Sequence, residues 1–119
     1  MKSASYAPIY CSLYPDLAQV VRTKGYALCV HGSMQRDFDL VCIPWVKNPA
    51  QPEEVVETLT KSFELVVIGD PVVKFHGRKI WTLSLGFGEC FLDLSFMPIK
   101  EECIENTTPV EVLGSSESS

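Results

Sequence analysis

The sequence lacks long hydrophobic runs and has no excess of basic residues. No stretch of about 18 apolar residues occurs, so we expect no membrane-spanning helix. Apolar residues still make up 46% of the chain, which is ample for a packed core. Lys and Arg number 10 against 15 Asp and Glu, giving a net charge of −5 at pH 7. This balance argues against a strongly basic nucleic-acid-binding face, although it allows a small nucleotide that arrives with metal ions.

Cysteine spacing excludes the common zinc and redox motifs. No C-x-x-C occurs, and neither of the 2 histidines has a zinc-ligand spacing to a cysteine. The chain begins without an apolar h-region, so we expect no signal peptide. The pattern therefore predicts reduced cysteines and a cytoplasmic location. The cysteines are Cys11, Cys29, Cys42, Cys90 and Cys103.

Hydrophobic periodicity predicts alternating helices and strands in a chain of one-domain size. Residues 1 to about 8 have the composition of a loose lead-in. A turn at Asp70-Pro71 is expected to end the third strand. The predicted elements are a helix from Pro15 to Gly25, strands at 26–31 and 37–45, a helix from Pro52 to about Ser62, a strand at 63–69, strands on either side of a turn at His76-Gly77, and a last strand at 89–98.

This order of elements predicts an α+β fold, with a mixed, mostly antiparallel sheet and helices packed on one face. Only GSMQR separates the first two strands, so they should form an antiparallel hairpin. We expect a single domain over residues 1–98. Residues 99–119 are acidic and Ser-rich, which predicts a mobile tail.

Three aspartates interrupt strands that are otherwise apolar. Asp37 and Asp39 alternate with buried-type residues, so both side chains lie on one face, about 6–7 Å apart. Asp93 stands in the same way within CFLDLSF. Charged groups in such positions are costly unless something compensates them. If the strands that carry Asp39 and Asp93 are neighbours, three carboxylates can converge on one patch.

Divalent cations are the natural compensation for clustered carboxylates. Packed anions repel one another and raise each other's pKa. Mg²⁺ prefers carboxylate oxygens and completes its shell with water and substrate phosphates. One or two such ions can activate an attacking oxygen and steady a leaving pyrophosphate. At the hairpin turn, Gly32 permits close backbone approach and Ser33 offers a hydroxyl to a phosphate oxygen.

The segments GS at 32–33, DFDL at 37–40 and LDL at 92–94 together resemble the motifs of the nucleotidyltransferase superfamily. That superfamily includes DNA polymerase beta, aminoglycoside nucleotidyltransferases and the minimal nucleotidyltransferases of toxin–antitoxin pairs. The resemblance covers roughly residues 26–97 and implies a nucleotidyltransferase-like fold. It also implies transfer of a nucleotidyl group from a nucleoside triphosphate to a hydroxyl. HGSMQRDFDLVCIPW further resembles a small group of uncharacterised phage or prophage proteins.

The resemblance assigns roles to particular residues. Asp37 and Asp39 correspond to the metal-binding acids, and Asp93 corresponds to the third acid, which often acts on the attacking hydroxyl. Gly32 and Ser33 correspond to the triphosphate contacts. Only Met34-Gln35-Arg36 separate this Gly-Ser from the first acid, a shorter segment than the family usually has. The acids are therefore better supported as Mg²⁺ ligands than the Gly-Ser is as a triphosphate clamp.

Simpler interpretations of the same residues stay open at this point. Asp37 and Asp39 can be turn and edge residues, and Asp93 can form an ion pair with Arg36 or Lys79. Arg36 can contact a phosphate or neutralise an aspartate. The matching alternative function is a catalytically silent binding module, such as a phage-encoded inhibitor or antitoxin-like partner that acts by protein contact. The acceptor, nucleic acid or protein, and the base preference are not specified by the sequence.

Overall fold

The computed structural model describes residues 5–86 and 89–99, which form a five-stranded sheet and two helices. The strand order is β1-β2-β5-β4-β3, with β2 and β5 parallel and all other neighbours antiparallel. The predicted α+β class and mixed sheet are confirmed. The elements are α1 (Ala7–Thr23), β1 (Tyr26–His31), β2 (Asp37–Pro44), α2 (Pro52–Phe63), β3 (Val66–Val73), a 3-10 turn (Phe75–Gly77), β4 (Lys79–Ser84) and β5 (Phe91–Phe96).

Alternation along the central strands separates a core face of the sheet from an open face. Every second residue of β2 and β5 is apolar and buried, as the period of two requires. The helices contribute Leu17 and Val21 from α1 and Val55 and Leu59 from α2 to the same buried cluster. The aspartates therefore lie on the face turned away from the described helices. The buried strand residues are Phe38, Leu40 and Cys42 on β2 and Leu92, Leu94 and Phe96 on β5.

The first helix begins earlier than the sequence predicted. It starts at Ala7 and continues through Pro15, which was expected to open it. A proline inside a helix costs about 3 kcal/mol. Aromatic packing opposes that cost, because Tyr10 is fully buried and stacks on Phe38 with ring centroids 4.7 Å apart. Tyr14, one turn further along, meets the same ring edge-on at 6.4 Å.

The third strand also differs from its prediction. Phe63 belongs to the end of α2, and β3 runs on to Val73 through the dipeptide Asp70-Pro71. A register shift between Ile68 and Val72 absorbs the extra residues as a bulge. Proline is tolerated there because β3 is an edge strand. The predicted turn at Asp70-Pro71 was therefore wrong.

The remaining boundaries agree closely with expectation. The hairpin of β1 and β2 is confirmed, and the last strand is shorter than predicted, at Phe91–Phe96. Neither helix of the described chain combines the length and apolarity needed to cross a bilayer. Except for Ile99, the tail prediction lies outside the described residues.

We expect Leu40→Ala to destabilise the fold by about 2–5 kcal/mol, because it removes a buried side chain and leaves a cavity in the core. Ile43→Ala on the same strand is the control, since Ile43 is 41% exposed whereas Leu40 is 1% exposed. The control should cost about 1 kcal/mol or less. Urea unfolding followed by circular dichroism measures both. Equal losses in the two variants would contradict the assignment of faces.

Candidate functional site

The parallel pairing of β2 with β5 brings two of the three aspartates side by side. Asp39 and Asp93 are Cα partners in this register, and both belong to the open face. The Asp93 carboxyl lies close enough to Asp39 to raise the pKa of Asp39. The neighbouring strands that the sequence argument required are therefore present. Asp39 and Asp93, which are far apart in the sequence, form a carboxyl pair near one end of the sheet.

Asp37 lies at the rim of this pair. It is the first residue of β2, is exposed, and is the Cα partner of Phe91. Its charge still acts on Asp39. Within residues 5–86 and 89–99, no group of three or more His, Cys, Asp or Glu side chains is arranged to hold a metal ion. The structure thus brings Asp39 and Asp93 into contact and places Asp37 two residues earlier on the same face.

Burial and mutual repulsion act on the carboxyl pair. Burial, first, and then the charge of Asp93 raise the pKa of Asp39 above its usual 3.8. The charge of Asp37 raises it further, and His31 lowers it. His31 is the Cα partner of Asp39 on β1 and is exposed. The ionised pair is therefore unfavourable by itself and attracts a proton or a cation.

Thr82 supports the pair from the other side. It is the Cα partner of Asp93 on β4, and its hydroxyl Oγ1 donates a hydrogen bond to Asp93 Oδ1 at 3.1 Å. Sequence reasoning missed this residue. The alternation of apolar residues in KIWTLS predicts which face of the sheet Thr82 lies on. Its contact with Asp93 could not be predicted, because it depends on the strand order.

Gly32 lets the turn after β1 approach Asp39 closely. Its φ of +88° lies in the left-handed region that favours glycine, and a Cβ built there would lie 3.1 Å from Asp39 Oδ2. The turn backbone therefore lies close to the Asp39 carboxyl. Contact of Gly32 and Ser33 with a phosphate stays a prediction.

The GSMQR turn, residues 32–36, is tied to the start of α1. The Tyr6 N–H donates to the Gln35 carbonyl at 2.8 Å, and the Tyr10 hydroxyl donates to the Arg36 carbonyl at 2.5 Å. Within the turn, the Gln35 N–H donates to Ser33 Oγ at 3.4 Å. Ser33 itself is exposed. The helix thus fixes the turn beside the carboxyl pair and leaves the serine accessible.

The cations suggested as partners of Asp93 bind elsewhere. Arg36 pairs with Glu89 at 2.5 Å, and Lys79 pairs with Glu53 at 2.6 Å. Neither pair supports the ion-pair explanation for Asp93, and Arg36 neutralises no aspartate. The Arg36–Glu89 pair is exposed, and exposed pairs are weak. Arg36 is therefore able to exchange Glu89 for a phosphate at small cost.

No protein-family model matches the chain, and no curated protein matches its sequence. The carboxyl pair and its surroundings are therefore the features from which a function is inferred. Those surroundings are polar and accessible along one edge: the GSMQR turn, His31 and Asp37 all lie at the end of the sheet where Asp39 and Asp93 meet.

We expect Asp39→Asn to stabilise the metal-free protein at neutral pH. The folded state holds the Asp39 proton more tightly than the unfolded chain, so stability falls as the pH rises above 3.8 through the raised folded pKa. An amide at this position carries no charge and can donate to Asp93.

Urea unfolding in a metal chelator, at neutral pH and again at acidic pH, measures this effect. The gain should shrink as the pH falls towards 3.8, the ordinary value of the carboxyl. Asp16→Asn, on the exposed side of α1, is the control and should show no such trend. A variant that is less stable than wild type at neutral pH would contradict the argument.

Proposed function

We propose that the protein is a metal-dependent nucleotidyltransferase that moves a nucleotidyl group from a nucleoside triphosphate to a hydroxyl acceptor. The observation that carries the proposal is the Asp39–Asp93 pair, held by neighbouring parallel strands on the open face and flanked by Asp37. Neither pairing with a cation nor a turn position accounts for Asp93. A binding role accounts for two half-buried acids on neighbouring strands.

The donor chemistry of the site fits Mg²⁺. Asp37, Asp39 and Asp93 offer carboxylate oxygens, and their mutual repulsion makes the apo site unfavourable. Mg²⁺ usually takes one or two protein carboxylates and fills its shell with water and phosphate oxygens. When bound, one or two ions would supply the positive charge that activates an attacking oxygen and steadies the leaving pyrophosphate.

The chain's own groups have distinct parts in this proposal. The acceptor hydroxyl oxygen attacks the α-phosphorus, the bond to the pyrophosphate oxygen breaks, and pyrophosphate leaves. Asp93 accepts the hydroxyl proton, while the hydrogen bond from Thr82 fixes the orientation of its carboxyl group. Ser33 and the turn amides contact the triphosphate, and Arg36 leaves Glu89 to pair with it.

The cysteines support a reducing compartment for this activity. All four cysteines among the described residues are free thiols, and Cys11 and Cys29 are exposed. Exposed free thiols persist where glutathione and thioredoxin keep them reduced. We therefore place the protein in the cytoplasm, where nucleoside triphosphates and Mg²⁺ are also available.

We expect the protein to bind a nucleoside triphosphate only when Mg²⁺ is present, and Asp39→Asn to weaken that binding at least about tenfold. Calorimetry with ATP, GTP, CTP and UTP, each with and without Mg²⁺, measures this. Because Asp39→Asn should stabilise the metal-free fold, lost binding would not reflect unfolding. Asp16→Asn is the matched control. Failure of all four nucleotides to bind in a metal-dependent way would overturn the proposal.

A second candidate function is a silent binding module that acts by protein contact. A groove of about 780 Å³ between α1 and β1 favours it, because the groove joins an edge strand to exposed Trp45 and to Arg22. Exposed edges of this kind accept peptide strands. If Asp37→Asn combined with Asp93→Asn leaves biological activity intact, the binding module is the correct function.

A further inference from the structure

The outer edge strand β3 exposes apolar side chains on both of its faces. All eight of its residues are exposed. Its pairing with β4 places Val67 and Val73 towards the core side, yet they are 39% and 61% exposed. Phe75, in the 3-10 turn that follows, is 85% exposed. The large apolar residues exposed here are Val66, Val67, Ile68, Val72, Val73 and Phe75.

Such an edge is unusual for a chain that stays monomeric. Edge strands are commonly protected by charges, prolines and bulges, and β3 has these only in its middle, at Asp70, Pro71 and the bulge. The apolar segments on either side of that point have no such protection. Six large apolar residues are exposed in one short arm, and clustered exposed apolar residues mark an interaction surface. The arm, defined as residues 64–75, therefore requires a covering partner.

The charges at the two ends of the arm identify that partner. Glu64 precedes the apolar segment and Lys74 follows it, and both are exposed. Within the described residues, neither has an ion-pair partner. Rotation of a second copy about an axis beside Ile68 places Glu64 of each copy near Lys74 of the other. The arm is thus complementary to itself in charge.

The apolar residues match in the same arrangement. Val66 and Val72 pair with Ser84 and Ile80 of β4, which lie two residues on either side of Thr82, the partner of Ile68. Because the bulge at residues 69–71 takes up the extra length, an axis beside Ile68 sets Val66 opposite Val72 of the second copy. Both side chains lie on the same face of β3, as residues directly opposite each other must. The apolar and the charged residues therefore select the same register.

We propose that a second copy of this chain docks on the arm, pairing β3 with β3 antiparallel about Ile68. The interface is isologous, as a two-fold axis requires. Pro71 has no N–H, so the ladder depends on Val66–Ile68 and on Val72 and Val73. The two sheets then form one continuous sheet of ten strands, with both open faces on the same side. Five strand spacings separate the two Asp93 residues, a distance of about 24 Å.

Sedimentation velocity over a range of concentrations tests the dimer. We expect wild type to approach twice the monomer mass of 13.3 kDa. Glu64→Lys alone or Lys74→Glu alone sets like charges together at two symmetric places and should weaken association about tenfold. The double variant exchanges the charges and should restore it. Lys47→Glu, an exposed reversal on the loop after β2, is the control and should leave association unchanged.

Val72→Asp completes the test, because it places a charge in the middle of the interface. Val72 is exposed, so circular dichroism should show an intact fold while the dimer is lost. A wild type that is monomeric at every concentration overturns the proposal and indicates that another occupant covers the arm. A dimer that survives Val72→Asp, or a double charge variant that fails to restore association, overturns it equally.

Discussion

The parallel ladder between β2 and β5 is the interaction on which the rest of the molecule depends. It inserts β5 between two antiparallel pairs, β1 with β2 and β4 with β3, and so joins them into one sheet. The same register buries Leu40 beside Leu94 on one face and sets Asp39 beside Asp93 on the other. A slip of one residue would reverse both faces of β5 at once. The core therefore fixes the face on which the candidate site lies, and the observed register sets the two acids side by side on that face.

The acids are a cost that the rest of the structure offsets. Partial burial and mutual repulsion disfavour the ionised pair, as the raised pKa of Asp39 records. Stacking of Tyr10 on Phe38 and anchoring of the GSMQR turn on α1 hold β2 and its turn in place despite that repulsion. Features that oppose stability and persist usually serve a function. The proposed cation would relieve the same repulsion and so bind more tightly. Removal of the Asp39 charge should therefore stabilise the apo fold but weaken the proposed metal binding.

The sequence was informative wherever the relevant signal was local. Alternation in DFDLVC and FLDLSF gives the faces of the central strands, and the short GSMQR segment gives the hairpin. It could not supply Thr82, because that contact depends on β4 lying beside β5. The start of α1 was missed because Tyr10 gains its stability from Phe38, a distant residue. Arg36 pairs with Glu89 for the same reason: the turn between β4 and β5 lies next to the first hairpin only in the folded chain.

Strand β4 links the two proposals physically. Thr82 pairs with Asp93 on one side and with Ile68 of β3 on the other. The site is therefore two strands from the outer edge of the sheet, and its hydrogen bond from Thr82 depends on the position of β4. An edge strand has a neighbour on one side only and frays more easily than a central strand. Fraying of β3 would loosen β4 in turn. A second copy on β3 would keep β4 in register and with it the orientation of Asp93. The proposed dimer contact and the proposed metal site would thus be separate in their contacts and coupled through a single strand.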